Sequence, residues 1–353
     1  MKAAEDMSTP ANIITTTYSM WNMFRNCRKG CELRYIRNLV PVERDKNLSF
    51  GSLIHECLEI WHGSRNIEMI RAHIDEVTPL RFVDADQKSI WHNAMAMMEG
   101  YVAAYPAETF ETIALERTFT GEITNPDTGA KSRTFQMRGK VDGIVKENGA
   151  YYILEHKTAS VLDSGYLDKL WCDFQITLYS KYIEEAYNIP ISGVIYNVLV
   201  KAKLQQGKGE TEAEFEVRRS ELLAKSKTGK TTATRKFPES DEDYQSRLAE
   251  KYREPGMFHR EMLYISRDQF RELEAELWEL TQAYLDARRR GTWYRNTAYC
   301  FGNYGRACPY FALCRSGENP NVEANLYTRE APHGELEDGA ESAGSPVSAP
   351  MVF

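Results

Sequence analysis

The sequence predicts a mixed α/β domain in which a short run of antiparallel strands is flanked by helices. Three observations predict it. Residues 111–158 hold three alternating segments, parted by the turns Asn125-Pro126-Asp127-Thr128-Gly129 and Glu147-Asn148-Gly149. Helical periodicity brackets that block on both sides. The run ISGVIYNVLV at 191–200 is almost wholly apolar, as a strand buried on both faces must be.

Each element follows from its own pattern. Residues 1–16 are expected to form a flexible start, and 18–29 and 51–62 to be helices. The second helix opens at Gly51-Ser52 and carries Leu53, Ile54, Leu58 and Trp61 at helical spacing. A third helix is expected over 85–104. The strands are ETIALERTFTGEI, RTFQMRGKVDGIVKEN and AYYILEHKT. One long helix then spans 166–188, stopped by Ile189-Pro190, and leads into the apolar strand. Residues 201–256 are highly charged and read as a helical insertion with an exposed loop. A strand over 257–265 and an amphipathic helix over 267–290 come next. A Gly- and aromatic-rich cysteine segment at 300–314 and an acidic, disordered tail over 316–353 complete the chain. The main domain is thus expected over 17–315.

Composition excludes several classes. With 353 residues, 42% of them apolar and 11% aromatic, the chain has ample material for a core and is not wholly disordered. No apolar stretch nears eighteen residues, and MKAAEDMSTPANIITTTYS has no basic start followed by an apolar block. Neither a membrane span nor a secretory leader is expected, and the expected location is cytoplasmic. The formal charge of −7 speaks at first against nucleic acid, yet four of those charges fall within 329–353. The placement of basic residues therefore matters more than their sum.

Seven cysteines in such a chain do not suggest a disulfide framework. Cys57 and Cys172 lie in apolar helical runs and read as buried structural thiols. Cys300, Cys308 and Cys314 cluster near one end, with Cys27 and Cys31 near the other. One distal thiol with three clustered ones makes a plausible set of soft metal ligands.

The chemistry is concentrated at two strand ends. Asp142 ends one strand, and Glu155 and Lys157 end the next. Alternation puts residues 155 and 157 on one face, where the neighbouring strand can bring Asp142 beside them. Two carboxylates there would hold a hard divalent cation with an ammonium in reach, the parts that phosphodiester hydrolysis requires. An isolated Glu-x-Lys is more often an ordinary solvated strand end, so the surrounding context decides.

That context resembles the PD-(D/E)XK nuclease superfamily, in its RecB-type branch. Gly139-Lys140-Val141-Asp142 and Glu155-His156-Lys157 are similar to its two strand motifs. Gly51-Ser52-Leu53-Ile54-His55 matches its preceding Gly-x-x-x-His helix, and Gln175-Ile176-Thr177-Leu178-Tyr179 its following Gln-x-x-x-Tyr helix. The resemblance implies a restriction-endonuclease-like mixed sheet core flanked by helices. It implies Asp142, Glu155 and His55 as ligands of Mg²⁺ or Mn²⁺, with His156 contributing its carbonyl. Lys157 becomes the catalytic lysine, and Gln175 and Tyr179 position DNA, brace the site, or simply pack. The glutamate before Lys157 stands where many relatives have aspartate.

The cysteines extend the resemblance to AddB-type and CRISPR-adaptation nucleases, which carry a four-iron cluster as a clip between the two chain ends. Cys308 and Cys314 match the terminal Cys-x5-Cys, whereas Cys300 departs from the usual Cys-x2-Cys spacing. Phe24-Arg25-Asn26-Cys27-Arg28-Lys29 favours Cys27 over Cys31 as the distal ligand. A 4Fe–4S cluster and zinc both stay open.

The expected activity is a metal-dependent DNA exonuclease acting on single strands or ends. The alternatives are a non-catalytic DNA-binding or recombination module and an RNA-directed nuclease. Other recombination or replication proteins are candidate partners. The stretch VIYNVLVKAKL resembles stand-alone phage versions, for which the compartment would be the host cytoplasm. Basic residues Arg218, Arg219, Lys225, Lys227, Lys230, Arg235 and Lys236 could neutralise phosphates, as could Arg25, Arg28, Lys29, Arg34 and Arg37. Lys227-Thr228-Gly229-Lys230-Thr231 is not a phosphate-cradling loop, because Ala224 stands where the first glycine is needed and no strand precedes it.

Overall fold

The computed structural model of the chain describes residues 13–43, 46–82, 87–302 and 306–336. Strand β1 (Ile14–Thr16) is followed by α1 (Tyr18–Asn26), α2 (Arg28–Cys31), a π-helical turn over Glu32–Ile36, and β2 (Leu39–Pro41). Three helices come next: α3 (Lys46–Ser64), α4 (Ile67–Arg81) and α5 (Gln87–Ala104). The central strands are β3 (Glu111–Thr124), β4 (Lys131–Glu147) and β5 (Ala150–Ala159). Helices α6 (Ser164–Leu170) and α7 (Phe174–Tyr187) lead to β6 (Ile191–Val200). The remainder is α8 (Glu212–Lys225), α9 (Asp241–Tyr252), β7 (Phe258–Tyr264), α10 (Arg267–Arg290), α11 (Phe311–Arg315), α12 (Pro320–Leu326) and β8 (Tyr327–Arg329).

Six strands form one mixed sheet, ordered β1-β4-β5-β6-β7 with β3 also paired to β4. Strands β3, β4 and β5 are antiparallel neighbours, as their short turns dictate, while β5 and β6 run parallel through the α6–α7 crossover. Alternation in β6 divides the core. Val194, Tyr196 and Val198 join Trp21, Phe24, Tyr182 and Tyr284 beneath α1, α7 and α10, whereas Leu199 joins the cluster of α3, α4, α5 and α9.

Several expectations need correction. Residues 14–16 are not a flexible start: β1 pairs parallel to β4 from Ile14↔Phe135 to Thr16↔Met137. Residues 1–12 lie outside the described residues. Helix α4 was not expected, although Asn66 accepts from the Glu68 N–H as its N-cap and Ile70 and Ile74 have helical spacing. The long helix of 166–188 is two helices, because Asp173 accepts from the Gln175 N–H and starts α7 afresh. Cys172 therefore lies in an exposed turn, not in a core. The insertion is exposed only in part. Helix α8 buries nothing, but α9 buries Tyr244, Leu248 and Tyr252 in the core cluster that includes α5.

The tail expected from 316 is ordered to 336. Strand β8 pairs with β2, Arg37 forms ion pairs with Glu318 and Glu323, and Leu33, Leu39, Tyr310, Leu313 and Tyr327 form a small core between the two segments. Apolar burial offsets the charge that the sequence pattern stressed. Residues 337–353 lie outside the described residues. No described helix is long and apolar enough to cross a membrane.

At Gly193 a β-carbon would fall 2.1 Å from the Leu263 carbonyl oxygen of β7, a backbone atom that cannot turn aside. Gly193→Ala is expected to destabilise the fold by about 1–3 kcal/mol through this overlap. Denaturant unfolding of the two proteins side by side measures it, and equal midpoints would refute the close approach.

Candidate active site

The site arises where two strands part. One edge of β4 is shared, with β1 on residues 135–137 and β5 on residues 143–147. The last β4–β5 pair toward the fork is Gly143↔Leu154, so Asp142 and Glu155 stand just beyond it. There the side chain of Asp142 replaces the ladder: its Oδ2 accepts the His156 backbone N–H at 2.7 Å. Its Oδ1 lies 3.2 Å from His55 Nδ1 on α3. Glu155 and Lys157 share a face as alternation requires, with Lys157 Nζ donating to Glu155 Oε1 at 2.6 Å. Gln175, in the first turn of α7, accepts from Lys157 Nζ at 2.9 Å and donates to Glu155 Oε1 at 3.0 Å. Tyr179 follows one helical turn later, packed edge-on to Phe119.

Burial and charge set the protonation pattern. Burial alone would lift the Asp142 carboxyl, but the facing His55 and the His156 N–H hold it far below the ordinary carboxylate range. Burial would likewise lower His55, and the Asp142 charge outweighs it, raising the imidazole. Glu155 is lifted to about 7 by burial and by Asp142, against the pull of Lys157. Lys157 is raised despite burial by Glu155, so it stays an ammonium. His156, fully enclosed, is pushed well below the usual imidazole value by burial.

Several residues at the site went unread in the sequence. Tyr18 and Tyr196 both donate to Asp173, at 3.2 and 2.7 Å, and so fix the start of α7 against the sheet. An aspartate just before an apolar periodic run was the available signal. Glu116 sits opposite Asp142 in β3 with φ +48°, paired to Lys140 at 2.5 Å, and burial raises both its carboxyl and that of Glu59 on α3. Behind His156, the Asn197 amide lies 2.9 Å from its Nδ1 and donates to Tyr101 Oη at 3.0 Å. Arg260 donates to the same hydroxyl at 2.9 Å and grips Glu108 with both nitrogens. No local pattern links residues 101, 108, 156, 197 and 260; only the fold brings them together.

The chain matches the family model of the PD-(D/E)XK nuclease superfamily over residues 15–315. It belongs to that superfamily. The match runs from β1 through the cysteine segment and takes in both halves of the fork. No curated protein matches the chain. Among solved structures, a crystal structure named "putative exonuclease" from Eubacterium rectale is similar, at 10% identity over 96% of this chain and 99% of that one. The TM-score of 0.39 is too low for that chain's activity to bear on this one.

In this PD-(D/E)XK chain the carboxylates are satisfied by protein groups, and no three described His, Cys, Asp or Glu side chains form a ready metal cage. The donor set nevertheless suits a divalent cation. Asp142 and Glu155 are carboxylates of low exposure, 15% and 7%, with the Asp142 charge helping to raise Glu155. Relief of that repulsion is what a hard cation supplies.

The thiols are all free. Burial lifts Cys308, and Cys27 and Cys300 are near enough to raise it further; Cys314 is lifted by burial and feels Cys27 and Cys308. Cys31 is buried in the main core, pushed up to about 12 by burial with Cys27 adding to it. The long Cys300–Cys308 spacing closes on itself, since Phe301 bridges Ala307 and the Cys308 N–H donates to the Cys300 carbonyl at 2.8 Å. The basic group at 218–236 is partly neutralised, with Arg218 held by Glu210, Arg235 by Glu212 and Arg219 near Glu216.

A carboxyl that keeps its proton up to about 7 stabilises the fold below its unfolded value near 4.5 and loses that contribution as pH rises through 7. The chelated protein is therefore expected to lose a few kcal/mol of stability between about pH 5 and 8 from Glu155. Glu155→Gln should flatten that slope. Melting curves of both proteins across this range, with EDTA, provide the check.

Proposed function

We propose that the chain is a Mg²⁺- or Mn²⁺-dependent deoxyribonuclease, acting as an exonuclease on single strands or DNA ends. The observation that carries this reading is the fork itself, which gathers Asp142, Glu155 and Lys157, with His55 3.2 Å from Asp142. Asp142, Glu155, His55 and the His156 carbonyl would hold the ion. Bound there, a divalent cation polarises the phosphate and lowers the pKa of water. Lys157 acts as a fixed positive charge beside the developing negative oxygen, not as a base, because Glu155 keeps it protonated. Gln175 orients Lys157 and Glu155 together, and Tyr179 packs between Tyr18 and Phe119 on the same helix. Asn197 holds the His156 ring in the strand that presents the ligands.

The rival, a non-catalytic DNA-binding module, is disfavoured because Asp142, Glu155 and Lys157 are all present at the fork, with Lys157 bonded to Glu155 and His55 beside Asp142. Incubation of oxygen-free protein with end-labelled single-stranded DNA, duplex DNA and RNA, with Mg²⁺, Mn²⁺ or EDTA, separates these readings. Wild type is expected to shorten DNA from one end only with metal. Lys157→Ala and Glu155→Ala should be slower by about 100-fold or more while still binding DNA. Intact substrates under every condition would give the rival the lead.

The thiols support a second element of the proposal, a 4Fe–4S cluster or a zinc ion held by Cys27, Cys300, Cys308 and Cys314. Cys27 lies near enough to act on both Cys308 and Cys314, whereas Cys31 is buried in the main core, and this favours Cys27 as the distal ligand. Iron, acid-labile sulfide and zinc measured per chain should fall in Cys27→Ser and persist in Cys31→Ser. The reverse result would exchange the two. Service in phage DNA processing or in recombination and repair is the expected setting.

A further inference from the structure

A cleft of about 320 Å³ opens between the end of α1, the middle of α10 and residues 294–297. Its lining includes Arg25, Arg28 and Arg295 and no acidic residue. Such a volume sits at the small end of the range for ligand pockets, roughly 300–1,000 Å³, and suits something about the size of one nucleotide.

The walls are preset. The Lys29 N–H donates to the Tyr294 carbonyl at 3.1 Å, and the Asn296 amide donates to the Asn26 carbonyl at 2.8 Å. Arg295 donates to the Cys314 carbonyl at 2.8 Å. The Arg28 guanidinium lies between two rings, 5.0 Å from Phe24 and 4.9 Å from Tyr294. Tyr294 is nonetheless 55% exposed, a flat apolar surface in an otherwise cationic cleft. Arg25 pairs with Glu276 at 3.0 Å, both side chains 39% exposed, a contact weak enough to yield to a phosphate.

One cleft arginine also reaches the start of α7. Arg25 stacks at 4.8 Å over Phe174, the residue before Gln175, whose side chain touches both Lys157 and Glu155. Two consecutive residues of α7 thus face the two regions, Phe174 toward the cleft arginine and Gln175 toward Lys157 and Glu155.

We propose that the cleft lined by Arg25, Arg28, Tyr294 and Arg295 is a nucleotide subsite for the single-stranded arm of the DNA. Guanidinium forks match phosphate oxygens in pairs, and an exposed ring between them takes a base by stacking, whatever its sequence. A duplex cannot offer an unstacked base to Tyr294, and an acidic peptide would need the charges but not the ring. The subsite deepens the nuclease reading and rests on it.

The test is fluorescence anisotropy of labelled oligonucleotides from 2 to 20 nucleotides on the full chain in EDTA, where no cutting occurs. The variants are Arg28→Ala and Tyr294→Ala, with Arg28→Lys and Tyr294→Phe as conservative counterparts and melting curves for each. For longer single strands, Tyr294→Ala is expected to weaken binding about tenfold and Tyr294→Phe to restore it. Arg28→Ala should also lower the slope of log affinity against log salt by about 0.7, the single-strand value for one lost phosphate contact, while Arg28→Lys keeps it. Duplex affinity should not respond to Tyr294→Ala.

Wild-type single-strand affinity in folded Tyr294→Ala and Arg28→Ala would overturn the subsite, even if the enzyme cuts DNA normally. So would equal losses for duplex and single strand, or losses seen for a poly-glutamate peptide and not for oligonucleotides. If wild type cuts nothing but the length-dependent, ring-dependent binding is present, the subsite stands and the hydrolytic reading falls.

Discussion

Everything at the candidate centre depends on one hydrogen bond that a β-ladder would not contain, from the His156 N–H to the Asp142 carboxylate. Adjacent antiparallel strands ordinarily satisfy their backbone groups with each other. Here β4 must also pair with β1 on the same edge, so β5 has to leave after Leu154. The departing strand carries an orphan N–H, and a buried orphan donor is costly. Asp142 satisfies it with a side chain, which fixes that carboxylate and holds open the gap into which Glu155 projects. Backbone necessity and chemical function therefore meet in one group.

The layers around the fork serve the same end. On one side, Tyr18 and Tyr196 clamp Asp173, which caps α7 and so points Gln175 at Lys157 and Glu155. On the other, the buried set of Asn197, Tyr101, Arg260 and Glu108 locks the strand that bears His156. Burial raises Glu155 and leaves His156 neutral, while Lys157 remains charged, so three neighbouring residues on one strand are kept in different states by their separate surroundings.

Much of this was legible from local pattern. The strands holding Asp142 and Glu155 are long, alternating and punctuated by Gly149, and each lies where periodicity predicts. The approach of His55 to Asp142 and of Gln175 to Glu155 agrees with the order of the motifs. What stayed hidden was of two kinds. Some was readable but overridden by a stronger pattern: Asp173 is a cap inside a run whose apolar period continues through it. The rest is non-local, as with β1, three residues whose pairing partners lie 121 positions away, or the ordering of 316–336, which depends on a partner segment near the start of the chain.

That last pairing has a consequence for how the molecule is assembled. The hairpin bearing Asp142 and Glu155 joins residues close in sequence and can close early in folding. The hydroxyl of Tyr310 bonds the carbonyl of Leu39 across 271 positions, and β8 meets β2 at a similar remove. During synthesis, the segment around β2 therefore leaves the ribosome long before its partner exists. Its apolar residues Leu33 and Leu39 stay uncovered until the segment carrying Tyr310, Leu313 and Tyr327 arrives, so this seam must close after the hairpin that bears the site.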